Sequence, residues 1–403
     1  MNRFVTGALA LAAAGSAAYA EPATSDWLEL DSELSTLASS TTATGDYTNL
    51  KVLLRGGYVY SGDELAVGDD DGSISGVRFW DVAVAGGTQV GDVGVRLGFD
   101  FARQNWFYSK SFDGLEWTPT LEDAYATWKC GEVDVIAGQY KPHVTRTGFT
   151  DPEYLFFLER SAMGSLYDWY DAGIGARGSF GDFSWNVDVM NGAGDEIYFG
   201  DYRGGISSGH IYILRALWNF GRTVGGYEMA PEDAYGAGDD PTGTIGVWYV
   251  MDDIWNGWDT DTYGIDGQGT FGQFGWGFEV ESRDDDAGEH LTAPGWNSLY
   301  WPLLFGGDST PWMVYGTWQV NEEWGVGLRY EDLDNSGPLW TDGPEGGDDT
   351  VLTLGVNRYD VGHNGKIGAS VAMIDSSDNE YWDGYDFGST TVFQVGYTYG
   401  ASR

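Results

Sequence analysis

Residues 91–103 read GDVGVRLGFDFAR, and this stretch decides the fold. Every second side chain is large and apolar, while the residues between them are charged or small. The apolar set is Val93, Val95, Leu97, Phe99 and Phe101. Successive side chains of a β-strand point to opposite faces, so the pattern predicts a strand with one oily face and one polar or small face.

The same alternation recurs along the chain after Tyr47. It predicts antiparallel strands that are long for a globular sheet but suit a strand tilted across a membrane. The sixteen candidate strands are 48–60, 73–86, 91–103, 119–130, 132–141, 169–180, 182–191, 210–220, 242–251, 259–271, 273–283, 310–320, 323–333, 349–357, 364–374 and 389–400.

The connections between these strands alternate in length. The short ones are Gly86–Val90, Cys130–Gly131, Gly181, Gly272 and Asn321–Glu322. The long ones are 61–72, 104–118, 142–168, 192–209, 284–309, 334–348 and 375–388. Such wiring is typical of a bacterial barrel, with turns in the periplasm and loops outside. Two connections fit less well, because 252–258 is short for its class and 221–241 is long for its class.

No apolar run after residue 20 is long enough for a membrane-spanning helix. A chain that spans a membrane without such helices must close into a barrel, because lipid satisfies no backbone hydrogen bonds. We therefore predict an all-β fold, a 16-stranded antiparallel transmembrane β-barrel over residues 46–403. Aromatic residues near the predicted strand ends suit membrane girdles, and the Gly-rich, polar inward faces predict a water-filled lumen.

The N-terminus carries two further predicted segments. Residues 1–20 have a basic start at Arg3, a short apolar run and a small-residue cleavage pattern at Ala18–Ala20, which predicts a secretory signal peptide. Residues 21–45 are expected in the periplasm. Their apolar spacing from Trp27 to Leu37 suits a short self-associating coiled coil, but a flexible leader fits equally well because short isolated helices are marginal.

The charge of the chain excludes one class of partner. Without the predicted signal peptide, 19 basic residues face 62 acidic ones, a formal charge of −43. A nucleic-acid partner is excluded, because phosphate binding needs a basic surface. The long loops are acidic, which suits a solvated, salt-adapted surface, with divalent-cation bridging as the sharper alternative. No loop has the spacing of a calcium site, so neither a specific metal nor a cofactor is predicted.

Basic residues are concentrated between Lys51 and Arg222. Alternation turns several of them toward the lumen, whereas Glu279, Glu281 and Glu331 face inward on later strands. Either the lumen has bases on one wall and acids on the other, which would tune ion passage, or each inward base pairs with an inward acid. The inward bases are Lys51, Arg55, Arg96, Lys129 and Arg177, and the segment 142–168 adds His143, Arg146 and Arg160 after Lys141.

Several runs resemble the phosphate-selective porin O and P family. They are Ala124–Trp128, Val135–Pro142, Phe157–Ser161, Leu354–Asn357 and Phe393–Tyr397. The resemblance implies a trimeric 16-stranded barrel whose third long loop, 142–168, folds inward to narrow the pore, and in which inward bases bind and pass anions. The residues that match this role are Lys141, Arg146 and Arg160, with Arg55, Arg96, Lys129 and Arg177 on the wall.

Together these features predict an outer-membrane porin, a channel for passive diffusion of small hydrophilic solutes and ions, with the lipid of the bacterial outer membrane around it. Anion (phosphate) preference is the narrower possibility, which the acidic mouths oppose by repulsion over about 10 Å. The alternative from another class is a secreted, soluble, β-rich glycan-binding protein, recognisable by solubility without detergent. An enzyme is disfavoured, because the four His are isolated and no HExxH, GxSxG or P-loop motif occurs.

Overall fold

The computed structural model describes residues 47–61, 74–102, 120–191, 210–221, 231–253, 259–285, 309–333, 349–375, 380–381, 385–386 and 389–402. Within these residues, sixteen strands form one closed antiparallel barrel, in which each strand pairs with its neighbours in sequence and the last strand pairs with the first. The predicted fold is confirmed. The predicted signal peptide and the segment 21–45 lie outside the described residues and stay predictions.

The strands agree with the predicted ones to within a few residues at most ends. They are β1 Tyr47–Ser61, β2 Ile74–Val90, β3 Val93–Asp100, β4 Thr120–Cys130, β5 Val133–Tyr140, β6 Asp171–Phe180, β7 Phe183–Met190, β8 Ile211–Phe220, β9 Thr242–Asp253, β10 Asp259–Phe271, β11 Phe274–Asp285, β12 Trp312–Gln319, β13 Trp324–Asp332, β14 Thr350–Tyr359, β15 Gly365–Asp375 and β18 Thr390–Ser402. The two-residue strands β16 (Glu380–Tyr381) and β17 (Tyr385–Asp386) pair with each other outside the barrel.

One end of the barrel carries tight turns, and we call it the turn end. Gly91, Gly131, Gly181 and Gly272 stand between consecutive strands with φ of 60°, 65°, 58° and 56°. This left-handed conformation strains a residue with a side chain, so glycine suits all four positions. The prediction of a connection at Gly86–Val90 was wrong. That segment continues β2 to Val90, which pairs with Val93 across the turn at Gly91.

The outer face of the barrel is apolar. Val95, Leu97 and Leu328 are 52%, 49% and 47% exposed, whereas Glu331, the last residue but one of β13, is 0% exposed and points inward. The alternation predicted from the sequence is therefore present, with the oily residues outside. A continuous apolar belt around a closed strand ladder fits hydrocarbon surroundings. None of the helices among the described residues is long and apolar enough to cross a membrane.

The hydrophobic core lies inside the barrel. The segment between β5 and β6 enters the lumen and forms two short helices, α1 (Arg146–Phe149) and α2 (Ala162–Leu166), with a 3-10 turn at Pro152–Tyr154 between them. Thr145 and Ser161 cap the helices by accepting hydrogen bonds from Gly148 and Gly164. Inward residues of the wall pack against this segment, among them Ile213, Met313, Val351 and Ala372. This part of the wall therefore borders the inserted segment 142–168, which the resemblance implied would fold inward.

Arginine at Leu328 is expected to destabilise the barrel. A charged side chain on the lipid face near mid-strand costs about 2–4 kcal/mol, against roughly 0–1 kcal/mol near the membrane interface. Val361, in the turn between β14 and β15 and 71% exposed, supplies the matched control Val361→Arg. Urea unfolding from lipid vesicles measures both free energies of unfolding, and equal losses for Leu328→Arg and Val361→Arg would contradict the membrane-facing assignment of the belt.

Candidate functional site

The segment 142–168, here called the inner loop, fills one side of the lumen. Phe156 and Phe157 are each 2% exposed, although they belong to a connection and not to a strand. Glycines on β13, β14 and β15 make room for them and for Leu158. A Cβ on Gly327 would lie 2.5 Å from the Phe156 ring, one on Gly355 3.0 Å from the Phe157 ring, and one on Gly368 3.1 Å from Leu158. The inward glycines of these strands therefore form a cradle for the apolar part of the inner loop.

Inward carboxylates bind the backbone of the inner loop. Glu279 accepts hydrogen bonds from the Thr147 N–H at 2.5 Å and from its hydroxyl at 2.7 Å. Glu331 accepts from the Ala162 N–H at 2.6 Å. Both N–H groups lie in the first turn of a short helix, where no intrahelical acceptor is available. These acids therefore satisfy the ends of α1 and α2.

A second set of buried charges is paired. Arg215 on β8 and Asp266 on β10 form a bidentate ion pair at 2.6 and 2.7 Å, and neither side chain is exposed. Asp266 also accepts from the Arg146 N–H at 3.1 Å. Buried charges need such partners, because an unpaired charge in a low-dielectric site is costly. The reading in which inward bases pair with inward acids is the one that this geometry supports.

The predicted anion-path residues lie in different surroundings. Arg146 is 4% exposed and donates from Nε to Gln268 at 3.2 Å, inside the packed half of the lumen. The Arg177 guanidinium lies 5.3 Å from the centre of the Tyr140 ring. Lys129 is exposed and stands two residues before the turn at Gly131. None of these three residues lines the cavity described below.

The other four predicted residues come together. Arg55 pairs with Asp81 at 2.7 Å and donates to the Leu158 carbonyl at 2.5 Å. Arg96 pairs with Asp123 at 2.6 Å. Lys141 pairs with Asp168, which also lies 3.2 Å from the Arg160 Nε. All four bases line one cavity, and each has an acidic partner.

This cavity, here called the wall cavity, lies between the inner loop and strands β1–β4. Its volume is about 100 Å³. Apolar side chains such as Leu53, Trp80 and Phe99 share its lining with charged ones. The bases are Lys51, Arg55, Arg96, Lys141 and Arg160, and the acids are Asp81, Asp100, Glu122, Asp123, Asp151, Glu159 and Asp168.

Lys51 on β1 joins the inner loop to the barrel wall by two ion pairs. Its ammonium group lies 2.8 Å from Asp151 and 2.6 Å from Glu153. Burial alone would raise the pKa of Asp151, but the charge and hydrogen bond of Lys51 outweigh burial and lower this pKa below its usual range. Asp151 is therefore ionised at neutral pH, and the tether between loop and wall is a pair of opposite charges.

Several of these residues were missed by sequence reasoning. Asp151 and Asp168 lie in a connection, where no alternation tells which side chains point into the lumen. Arg215 follows alternation but is hard to find, because β8 is apolar on both faces, with Ile213 inward and Leu214 outward. Among the described residues, no group of three or more His, Cys, Asp or Glu could hold a metal ion.

Comparison with known proteins agrees with this geometry. The family model described as "Phosphate-selective porin O and P" matches residues 68–218, which hold the inner loop and much of the wall cavity. This match confirms the resemblance noted in the sequence. Over these residues the chain is similar to that porin family, and its described strands form the closed 16-stranded barrel. No curated protein matches the sequence at a significant level.

Solved structures share the fold of this protein. The anion-selective porin from Comamonas acidovorans has 12% sequence identity and a TM-score of 0.55, over 88% of this chain and 100% of that one. OmpT, an outer membrane protein of Vibrio cholerae, has 12% identity and a TM-score of 0.54, over 90% of this chain and 99% of that one. At such identities the likeness shows the barrel fold. Nothing in these comparisons supports the soluble glycan-binding alternative.

Alanine at Gly327 is expected to disturb the cradle of the inner loop. The new Cβ would meet the Phe156 ring at 2.5 Å and Thr317 at 3.1 Å, and such overpacking costs about 1–3 kcal/mol. The matched control is Gly316→Ala on the neighbouring strand, where no heavy atom lies within 4 Å of the added Cβ. Unfolding in urea from lipid vesicles compares the two variants. A Gly327→Ala protein as stable as Gly316→Ala would contradict the packed cradle.

Proposed function

We propose that the porin passes small hydrophilic solutes and inorganic ions through the wall cavity, by diffusion and without a catalytic step. The observation that carries this proposal is the division of the lumen. The inner loop packs against the wall from β8 to β15, whereas the side next to β1–β4 keeps a cavity lined by charged groups. Solutes would therefore cross between the inner loop and β1–β4.

The charges along this path favour weak selectivity. Five bases and seven acids line the wall cavity, so the acids exceed the bases by two. Arg55, Arg96, Lys141 and Arg160 each have an acidic partner, which reduces the field that they present to a passing anion. Strong selectivity requires rings of one sign. We therefore propose a weak cation preference.

Anion preference is the second candidate. The matching family model carries the name of a phosphate-selective porin, and one similar structure is of an anion-selective porin. In this alternative, Arg55, Arg96, Lys141 and Arg160 release their carboxylate partners and bind the passing anion instead. The two candidates predict opposite signs of the same electrical measurement.

The reversal potential in a KCl gradient across a planar bilayer is expected to show a small cation preference for the native porin. Asp123→Asn frees Arg96 and should shift the permeability ratio toward anions by about 2–5-fold, the effect of a partly screened charge worth roughly 0.4–1 kcal/mol. Arg96→Gln should shift it toward cations by a similar factor. Glu322→Gln, at an exposed residue of a turn, is the control and should change nothing.

An anion-leaning native porin that is blocked by millimolar phosphate would overturn the cation preference and support the second candidate. Loss of the phosphate block in Arg96→Gln would then identify the path. A native porin with no conductance at all would contradict the channel function itself.

A homotrimer embedded in outer-membrane lipid is the assembly that we propose. Its support is a pair of small outward residues, Ala126 on β4 and Ala137 on β5, which lie directly opposite each other. By contrast, the outward face of β12 carries Trp312, Val314 and Trp318, all large. Small side chains at this pair allow two barrels to approach closely, whereas bulky aromatic residues suit contact with lipid.

Tryptophan at Ala126 is therefore expected to break the trimer. The unheated native porin should migrate as a trimer in SDS gels and in native mass spectrometry, and Ala126→Trp should migrate as a monomer. Val314→Trp on the lipid-facing side is the matched control and should remain trimeric. A monomeric native porin would refute the proposed assembly.

A further inference from the structure

A second segment enters the lumen from the turn end. It belongs to the connection between β8 and β9, which is long where the other connections at that end are tight. We call residues 231–235 the brace. Glu232, Asp233 and Ala234 are 1%, 2% and 4% exposed, although they lie in a connection between strands. Such burial of two acidic residues requires specific partners.

The wall supplies a seat for the backbone of the brace. The Pro231 carbonyl accepts a hydrogen bond from Gln268 at 2.7 Å, and the Glu232 carbonyl accepts one from the Thr317 hydroxyl at 3.3 Å. A Cβ on Gly275 would lie 2.8 Å from the Glu232 carbonyl oxygen and 3.1 Å from the Asp233 Cα. The absence of a side chain at Gly275 therefore gives the brace its place against β11.

Asp233 and Tyr235 fasten the brace to the turn end. Asp233 accepts from the Tyr359 hydroxyl at 2.6 Å and lies 2.8 Å from the His363 Nε2. Tyr235 stacks on the Tyr359 ring with centroids 4.4 Å apart. Burial alone would raise the pKa of Asp233, but His363, Lys366 and the Tyr359 hydroxyl together lower it. The carboxylate is therefore ionised at neutral pH and holds the segment in the lumen.

The brace also contacts the inner loop. The Glu232 N–H donates to the Tyr154 carbonyl at 3.1 Å, and the Glu232 carboxylate accepts from the Phe156 N–H at 2.7 Å. Phe156 is the side chain seated in the glycine cradle of β13 and β14. Glu232 thus binds both a donor and an acceptor of the inner loop, next to the buried Phe156.

We propose that the brace holds the inner loop against β11–β14 and thereby sets the width of the wall cavity on the other side, with Glu232 as the positioning residue. This inference rests on the proposed function, because it assumes that solutes cross beside β1–β4. Besides Glu279 and Glu331, two further anchors hold the loop. Lys51 binds it from the wall cavity, and Glu232 binds it from the packed half.

Single-channel conductance tests the inference in the full-length porin. Glu232→Ala removes the acceptor for the Phe156 N–H, so the inner loop should lose its position and the conductance should change by about twofold or more, because conductance follows the open cross-section. Glu232→Gln keeps a side-chain oxygen as acceptor and should restore most of the native value. Asp239→Ala, at an exposed residue of the same connection, is the matched control.

Thiol labelling provides a second readout that does not depend on conductance. Cys130 is exposed, so it is first replaced by Cys130→Ser. Ala234→Cys then reports whether the brace is docked, because residue 234 is buried in the docked brace. A membrane-impermeant maleimide should label this cysteine slowly in the otherwise native porin and at least about tenfold faster after Glu232→Ala, as expected for exposure by local opening.

The outcomes separate the inference from the proposed function. Fast labelling of Ala234→Cys in the otherwise native porin overturns the brace, even if the channel conducts. The brace is also overturned if Glu232→Ala shows the same conductance and the same labelling rate as the control Asp239→Ala. If Glu232→Ala fails to assemble, Ala234→Cys is labelled with and without Glu232→Gln instead. Slow labelling in both proteins supports the docked brace, and fast labelling in either overturns it. A native porin without conductance, but with slow labelling, refutes the channel function and leaves the docked brace standing.

Discussion

The hydrogen-bond ladder between β1 and β18 is the constraint on which the rest of the structure depends. It pairs eleven residues of β1, from Lys51 to Ser61, with the last strand and so removes both edges of the sheet. In hydrocarbon an unpaired edge would leave a row of unsatisfied N–H and C=O groups. Closure allows the outer face to be apolar, and the same pleat turns every alternate side chain into the lumen, where the polar and small residues collect.

The inward residues must then be accommodated inside the lumen, and they are accommodated differently in its two halves. From β8 to β15 the inward side chains pack against the inner loop as a protein core does, with Ile213 and Met313 buried in the same apolar cluster as Phe157. Next to β1–β4 charged inward residues, together with apolar ones such as Leu53, border a cavity. Inward glycines serve the first half, because a barrel wall without side chains leaves room for an inserted ring. The channel is therefore the part of the lumen that the chain itself does not fill.

The fold was predictable because it depends on a local period. Strands such as 324–331 alternate strictly, and a period of two needs no knowledge of distant residues. The wall charges Arg55 and Arg96 were found by the same rule. Asp151, Asp168 and Glu232 were not, because they lie in connections whose path depends on contacts with distant residues, up to a hundred positions away for Lys51 with Asp151. The one local signal for the brace was the length of the connection 221–241, which is too long for a tight turn.

Charge explains why the same residues both build the constriction and limit its selectivity. An inserted loop in a low-dielectric lumen needs ion pairs and backbone hydrogen bonds to hold it, and arginine and lysine supply several donors each. Once Arg55 binds Asp81 and the Leu158 carbonyl, and Lys51 binds Asp151 and Glu153, their charges are largely neutralised. Bases that fasten a loop cannot also present a strong field to a passing anion. The sign of the selectivity then rests on the acids in excess, and on this chain they outnumber the bases around the cavity.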